Sequence, residues 1–406
     1  VSTGGKTEGE RTITLVGVVT ALALFGDSML YVVLPVYWKE AGLDALWQVG
    51  VLLAANRFVR LPLNPLVSWL YRRMSLRTGL IIAAALGAAT TAGYGIWKGF
   101  AAWLILRAVW GIAWSFMRMG GYLAVIACSD DSNRGRLMGR YNGVWRLGTL
   151  VGVLFGGLLV PKLGLQPVAL QFGAWALLGI PLVLWALRGK SASAREQPAR
   201  AASLKGTMWT LPVRKIVVSG LAIAVLQAVF GATLSYMIDT HYAGRELLFQ
   251  VVISSTVLGG ALTALRCAWE PFLAGWSGRL SDGPQGRLPL YMLSLAGSAA
   301  GYAFLPWELP LGVWLAIVIF VMATSTLLGT IMDAMAADAA RATAVVPVIT
   351  AYTVATDLGA AVGPTLVYGI AGEPFGLVFA YVGCAAVFAA VAMWYRPEYR
   401  ERRAAG

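Results

Sequence analysis

Ten ionisable side chains interrupt the long apolar stretches of this 406-residue chain: Arg57, Arg60, Arg107, Arg118, Arg146 and Arg266 against Asp27, Glu270, Asp333 and Asp357. Each costs about 2.5–3.5 kcal/mol to insert at mid-membrane, so each is expected to face a partner, a water-filled cavity or a solute path. A carboxylate in such a place can carry a proton, and an arginine fork clamps a carboxylate through two parallel hydrogen bonds. Asp27, one turn before Tyr31, is the first candidate proton carrier, followed by Asp357 and Glu270. Asp333 falls near the end of its stretch and counts least, which leaves six cations against three acids. That surplus favours an anionic or zwitterionic solute contacted by Arg57, Arg60, Arg107 and Arg146.

Polar neighbours of these charges recur at helical spacing. Asn56, Arg60 and Asn64 form one stripe, and Arg107, Trp114 and Arg118 another, with Trp110 and Gly111 between them. Tyr31, Asn56, Trp110, Trp114 and Tyr352 are therefore candidate solute contacts, although aromatic residues at such positions also serve as packing or interface anchors. For Arg107 a structural or gating salt bridge, with Asp27 the acid that it could reach, is the alternative to solute contact. Arg266 and Glu270, one turn apart, are expected to satisfy each other. His241, beside Asp239, reads as an interfacial residue at the outer end of its stretch. Cys128, Cys267 and Cys384 lie far apart, so neither a disulfide framework, a metal site nor a cofactor is expected.

Helices must hold these groups. With 58% hydrophobic and 13% charged residues, and a mean hydropathy of +0.71, the composition is that of an all-α membrane protein. Apolar runs predict twelve spans near 12–38, 46–70, 77–97, 101–128, 138–160, 166–187, 214–238, 249–279, 288–306, 310–332, 344–370 and 374–395. Residues 1–11 then form a short N-terminus, 12–187 one six-helix bundle, 188–213 a linker, 214–395 a second bundle and 396–406 a tail. The run after residue 11 is too long for a signal-peptide core and is expected to remain as the first span. With both termini in the cytoplasm, inner segments hold 22 Lys and Arg against 4 outside, the bias of a multi-pass protein of the cell membrane. The net charge of +13 is thus juxtamembrane charge facing lipid, and nucleic acid is not an expected partner.

The two halves repeat. Phe25 to Tyr31 and Tyr37 align with Phe230 to Tyr236 and Tyr242 at an offset of 205. Tyr141, Arg146, Leu147, Gly148 and Gly152 meet Tyr352, Asp357, Leu358, Gly359 and Gly363 at 211, and Arg57, Pro62 and Ser68 meet Arg266, Pro271 and Ser277 at 209. Three matches in consistent order predict a duplicated six-helix unit.

Span 5 carries Gly139, Gly148, Gly152, Gly156 and Gly157, a pattern of small residues that lets helix backbones approach, with Val153 where g-x8-G-x3-G-P-x2-G-G has proline. Span 4 carries Arg107-Ala108-Val109-Trp110-Gly111, like R-x-x-Q-G with Trp110 for the glutamine. Gly278-Arg279-Leu280-Ser281-Asp282 followed by Gly286-Arg287 matches a G-x-L-x-D-(R)-x-G-R loop, whereas the first half has Trp69 and Arg73 in place of its Gly and Asp. Together these features resemble the major facilitator superfamily, and within it the drug/proton antiporter-like efflux branch.

The resemblance implies two pseudo-symmetric six-helix bundles, alternating access, and a proton gradient as the energy source. It also implies gating or structural roles for Arg118, Arg266, Gly148, Gly152, Gly156, Gly278, Asp282 and Arg287, and a monomer that is not an enzyme. No phosphate-binding G-x-x-x-x-G-K-[ST] loop occurs, so direct use of ATP is not expected. The reading is an exporter of a small carboxylate-bearing or zwitterionic molecule, an opine-type metallophore among the compatible solutes. The alternatives are a general multidrug exporter, a proton-symport importer of an organic anion, and a non-transporting membrane sensor.

Overall fold

The computed structural model describes residues 3–128, 134–188, 209–242, 254–281, 287–343 and 345–405. Most of the expected linker, 188–213, lies outside them, as does Asp282.

Among the described residues all regular structure is helical, as a lipid environment requires when every backbone N–H and C=O must be satisfied locally. The first half consists of α1 (Thr3–Tyr37), α2 (Leu46–Tyr71), α3 (Leu76–Ile96), α4 (Phe100–Cys128), α5 (Arg134–Leu163), α6 (Leu165–Leu177) and α7 (Gly179–Ala186). The second consists of α8 (Leu211–Tyr242), α9 (Ser255–Ser281), α10 (Leu288–Phe304), α11 (Leu311–Ala342), α12 (Val345–Ile370) and α13 (Gly376–Ala405). The twelve expected spans are all present, the sixth divided at Leu178 into α6 and α7. Eight of them are long and apolar enough to cross a membrane on length and composition alone. Of the other four, α10 is shorter, and α2, α9 and α12 are diluted by polar and charged residues, among them Arg57 and Arg60, Arg266 and Glu270, and Asp357.

The chain separates into two units, residues 1–201 with 254–264, and residues 202–253 with 265–406. Residues 254–264 join the first unit at α5, where Thr256 Oγ1 donates to Gly157 O at 3.2 Å. Within each unit, backbone-to-backbone contact rests on glycine. A Cβ at Gly148 would lie 2.4 Å from Ala21 O, and one at Gly152 2.6 Å from Phe25 O, so α5 crosses α1 with no room for side chains. In the second unit Gly359 and Gly363 of α12 press on Leu221 O and Val225 O of α8 at 2.4 and 2.6 Å. Gly359 and Gly363 follow Gly148 and Gly152 by the expected 211, yet the contacts on α8 follow those on α1 by 200 rather than 205. The second crossing has therefore slipped by about one helical turn relative to the sequence repeat.

Hydroxyls are folded back onto the backbone. Thr20, Thr233 and Thr353 each donate to the carbonyl one turn before, at 2.8–2.9 Å, which hides a polar group inside its own helix. Tyr71 reaches across α3 and α4 instead: its hydroxyl sits in a notch between Gly79 and Gly120 and donates to Phe116 O at 2.8 Å. Tyr71→Phe keeps the ring packing and removes that bond, so a loss of about 1 kcal/mol is expected, read as a small drop in apparent Tm of the detergent-solubilised protein. An unchanged Tm would show that the bond contributes nothing.

Two charged groups have roles that the charge pattern did not convey. Lys215, two residues beyond the expected linker, is buried in α8, donating to Glu398 Oε1 at 2.7 Å and to Trp394 O at 3.3 Å of α13. Glu40 Oε1 accepts from Leu165 N at 2.8 Å, capping α6 after Gly164, whose φ of +85° an L side chain would resist.

Candidate functional site

The site of the first unit is built around Arg107, which is fully buried. Gly111, one turn later on α4, brings α2 close, since a Cβ there would lie 2.6 Å from Asn56 O. At that spacing Arg107 Nε donates to Leu52 O at 2.8 Å, and Nη1 donates to the carboxylate of Asp27 on α1. Asp27 keeps 13% of its side chain exposed, so the pair has a closed side at Arg107 and an open side at the acid. Tyr31, one turn along α1, has its ring centroid 6.0 Å from the Arg107 guanidinium and 5.9 Å from that of Arg57 on α2. Asp27, Tyr31, Arg57 and Arg107 thus meet in one place, with two cations to one acid, a balance that attracts a further negative group.

The α2 stripe continues from this centre. Asn56 and Arg60 are buried, and Asn64 accepts from Ser115 Oγ of α4 at 2.9 Å. Trp110 occupies the glutamine position of R-x-x-Q-G and is buried beside Gly87 and 6.4 Å from Trp114, which meets Trp145 of α5 edge-on at 5.8 Å. Arg146 and Arg118 are exposed, Arg146 next to the Trp145 ring and Arg118 next to Tyr122. Arg57 and Arg60 of α2 and Arg107 of α4 are the basic residues nearest this centre, and Arg146 lies exposed on α5. Gly148, Gly152 and Gly156 bring α5 directly against Ala21, Phe25 and Met29 of α1.

The second unit distributes its candidates differently. Tyr352 of α12 packs its ring against Gly220 and donates its hydroxyl to Asp333 Oδ1 of α11 at 2.8 Å. Asp333, ranked last by position, is therefore the acid tied to a candidate solute contact. Asp357 is half-buried on α12, and Arg266 and Glu270 are half-buried one turn apart on α9. Arg287 pairs with Asp338 of α11 through two contacts, 2.7 and 3.3 Å, which places this loop-signature arginine in a helix-to-helix clamp. Gly278 lies within α9, and His241 is half-buried at the end of α8 against Tyr242. No three of the described His, Cys, Asp and Glu side chains are grouped to hold a metal ion.

A duplicated set of membrane helices, packed through glycines and carrying a buried ion pair in one unit, is the architecture of a secondary transporter. A sequence model of the Major Facilitator Superfamily matches residues 16–364, and the chain belongs to that family. It is 27% identical over 237 residues to the uncharacterized MFS-type transporter YcaD of Salmonella newport (strain SL254), an alignment covering 57% of this chain and 60% of that one. The same figures hold for YcaD of Salmonella typhi. The chain thus matches about three-fifths of the length of these curated relatives.

Solved structures agree on the fold. A bacterial homolog of the human lysosomal transporter Spinster, crystallised inward-facing and unoccupied, superposes with a TM-score of 0.73 at 13% identity over 98% of both chains. A POT family transporter in complex with 5-aminolevulinic acid gives 0.75 at 11% identity over 96% of both. The chain is accordingly an all-helical, multi-pass membrane protein of the Major Facilitator Superfamily.

Proposed function

We propose that this transporter exports a small zwitterionic or carboxylate-bearing organic molecule in exchange for protons, by alternating access of bundles 12–187 and 214–395, with both termini in the cytoplasm. The observation that carries the reading is the Asp27–Arg107 pair with Arg57 on the far side of Tyr31. Asp27 exchanges the proton, and Arg57, Arg60, Arg107 and Arg146 receive carboxylate. Asn56, Tyr31, Trp110 and Trp114 shape the site of the first unit, Tyr352 is a solute contact of the second unit taken by itself, and Asp357 and Glu270 are secondary proton sites.

The direction of coupling follows from which charge on the solute meets Asp27. An amine and a proton compete for the same carboxylate, so a zwitterion whose ammonium binds Asp27 and whose carboxylate binds Arg57 leaves as the proton enters, which is antiport. Amino-polycarboxylates, the chemistry of opine-type metallophores, carry both groups. The span 5 glycine pattern supports exchange, and 5-aminolevulinic acid in the POT family structure has the same pair of groups. A purely anionic solute reverses the sign. It competes with Asp27 for Arg107, so a protonated Asp27 favours its binding and proton and solute travel together. That symport reading is favoured by the one feature that Asp27 already has a cation as its partner.

Proteoliposomes with an acid interior test this. Uptake of an amino-polycarboxylate, free or metal-loaded, is expected in preference to a lipophilic cation. Asp27→Asn is expected to abolish the pH-driven component while retaining solute exchange at equal pH. Cation flux alone would return the protein to the general multidrug group, and carboxylate uptake driven only by an acid exterior would establish symport.

A further inference from the structure

Arg107 loses its counter-ion whenever Asp27 takes up a proton, and a fully buried guanidinium without a carboxylate is costly unless other groups accept its hydrogen bonds. Groups able to do so stand behind the pair. Four buried side chains there have a polar atom with no hydrogen bond of good geometry: Arg107 through Nη2, Thr91 through Oγ1, Asn56 through Oδ1, and Tyr94 through its hydroxyl, which interacts loosely with the Arg107 guanidinium beside it. Their exposures are 0, 1, 5 and 1%. Buried polar groups are nearly always satisfied, so a cluster of poorly satisfied ones marks a place where water or an alternative partner belongs.

The packing fixes these groups in place. Tyr94 and Thr91 lie one turn apart on α3 and face α1 and α4. The Thr91 hydroxyl occupies the space left by Gly26, the neighbour of Asp27, at 2.5 Å from where a Cβ would stand. The Tyr94 ring rests on Trp103 of α4 at 4.8 Å, one turn before Arg107, and its hydroxyl lies within electrostatic reach of both Arg107 and Asp27. Asn56 adjoins Gly111, one turn beyond Leu52, whose carbonyl already holds Arg107. Asp27 otherwise faces Tyr31 on its own helix and Arg57 beyond it. Against this stretch of α1, α5 presents Gly148, Gly152 and Gly156, and α6 presents Phe172 and Trp175, none of them charged.

We propose that Tyr94 is a positioning residue of the proton cycle: with Thr91 it encloses a water site behind the ion pair, and its hydroxyl side retains Arg107 while Asp27 is protonated. The inference rests on Asp27 as the proton carrier. Removing the Tyr94 hydroxyl penalises the state with Asp27 protonated most, because Arg107 then has no carboxylate to hold it, so Asp27 gives up its proton more readily.

The measurement needs no solute. The infrared band of a protonated carboxyl that Asp27→Asn lacks is titrated in the full chain in nanodiscs. Tyr94→Phe preserves the ring contact with Trp103 and is expected to shift the midpoint down by about one pH unit, a tenfold change in proton affinity. Thr91→Val, similar in shape, is expected to shift it in the same direction by less. A Tyr94→Phe titration matching the unaltered protein, with the Asp27 band intact, overturns the role of Tyr94 alone. Absence of any band sensitive to Asp27→Asn overturns the proton-carrier reading and this inference together.

Discussion

Arg107→Met is expected to lower the apparent Tm sharply at neutral pH and to remove the pH dependence of transport. Methionine fills much of the same volume, so the loss is chiefly electrostatic. It leaves Asp27, mostly buried, without the cation that faces it and leaves Leu52 O without its extra donor. Breaking one side of a buried pair costs about 3–5 kcal/mol, and the stranded acid escapes part of that only by holding a proton permanently. A protonated Asp27 no longer cycles, so stability and coupling fail from one cause. The double variant Asp27→Asn with Arg107→Met has no unpaired charge and is expected to recover Tm while remaining uncoupled. Thermal unfolding of the detergent-solubilised protein over pH 5–9 checks this. A single variant as stable as the parent, or a double variant no better than the single, would show that the pair does not stabilise the first unit.

Gly152→Val should have an effect of comparable size for a different reason. A Cβ at Gly152 would stand 2.6 Å from Phe25 O and 2.9 Å from the Ser28 Cβ, so even alanine forces backbone to move, and valine adds two methyl groups to a space already absent. Overpacking a tight crossing costs about 1–3 kcal/mol where side chains can adjust, and more where the obstacle is a carbonyl. Separation of α1 from α5 would also displace Asp27, two residues after Phe25. Gly143, on the same helix, has nothing within 4 Å of its notional Cβ, and Gly143→Ala is expected to be neutral or slightly stabilising through helix propensity. Yield and Tm by fluorescence-detected size exclusion compare the two. Equal tolerance at both positions would mean that the α1–α5 crossing is not held by close approach.

How much of this could be read beforehand differs from residue to residue. The spans were legible because lipid permits little except helices of nearly fixed length, so hydropathy alone locates them. Gly148 and Gly152 were legible because a four-residue spacing of the smallest side chain has few uses other than close packing. Asp27 and Arg107 stood out because ionised groups are rare in apolar stretches. Arg146 stood out equally and lies exposed where Arg107 is fully buried, a difference that a charge pattern does not convey, since it gives depth along a helix but not the direction in which the side chain points. Lys215 looked like a linker charge until α13 supplied Glu398 beside it.

The amino-acid sequence by itself determined the helical class, the number of spans, the duplication and the identity of the costly buried charges, because each follows from local composition and from the energetics of a single helix in lipid. The sequence put Arg107 within reach of Asp27, but only the tertiary structure decided that they meet and which of the other groups do. Arg107 joins Asp27, Tyr352 joins Asp333, and Tyr94 stands behind the pair across separations of 80, 19 and 13 residues. Helix rotation and crossing register set those meetings, and both depend on how neighbouring surfaces interlock, which is why the α8–α12 contact sits a turn away from the register that the repeat suggests.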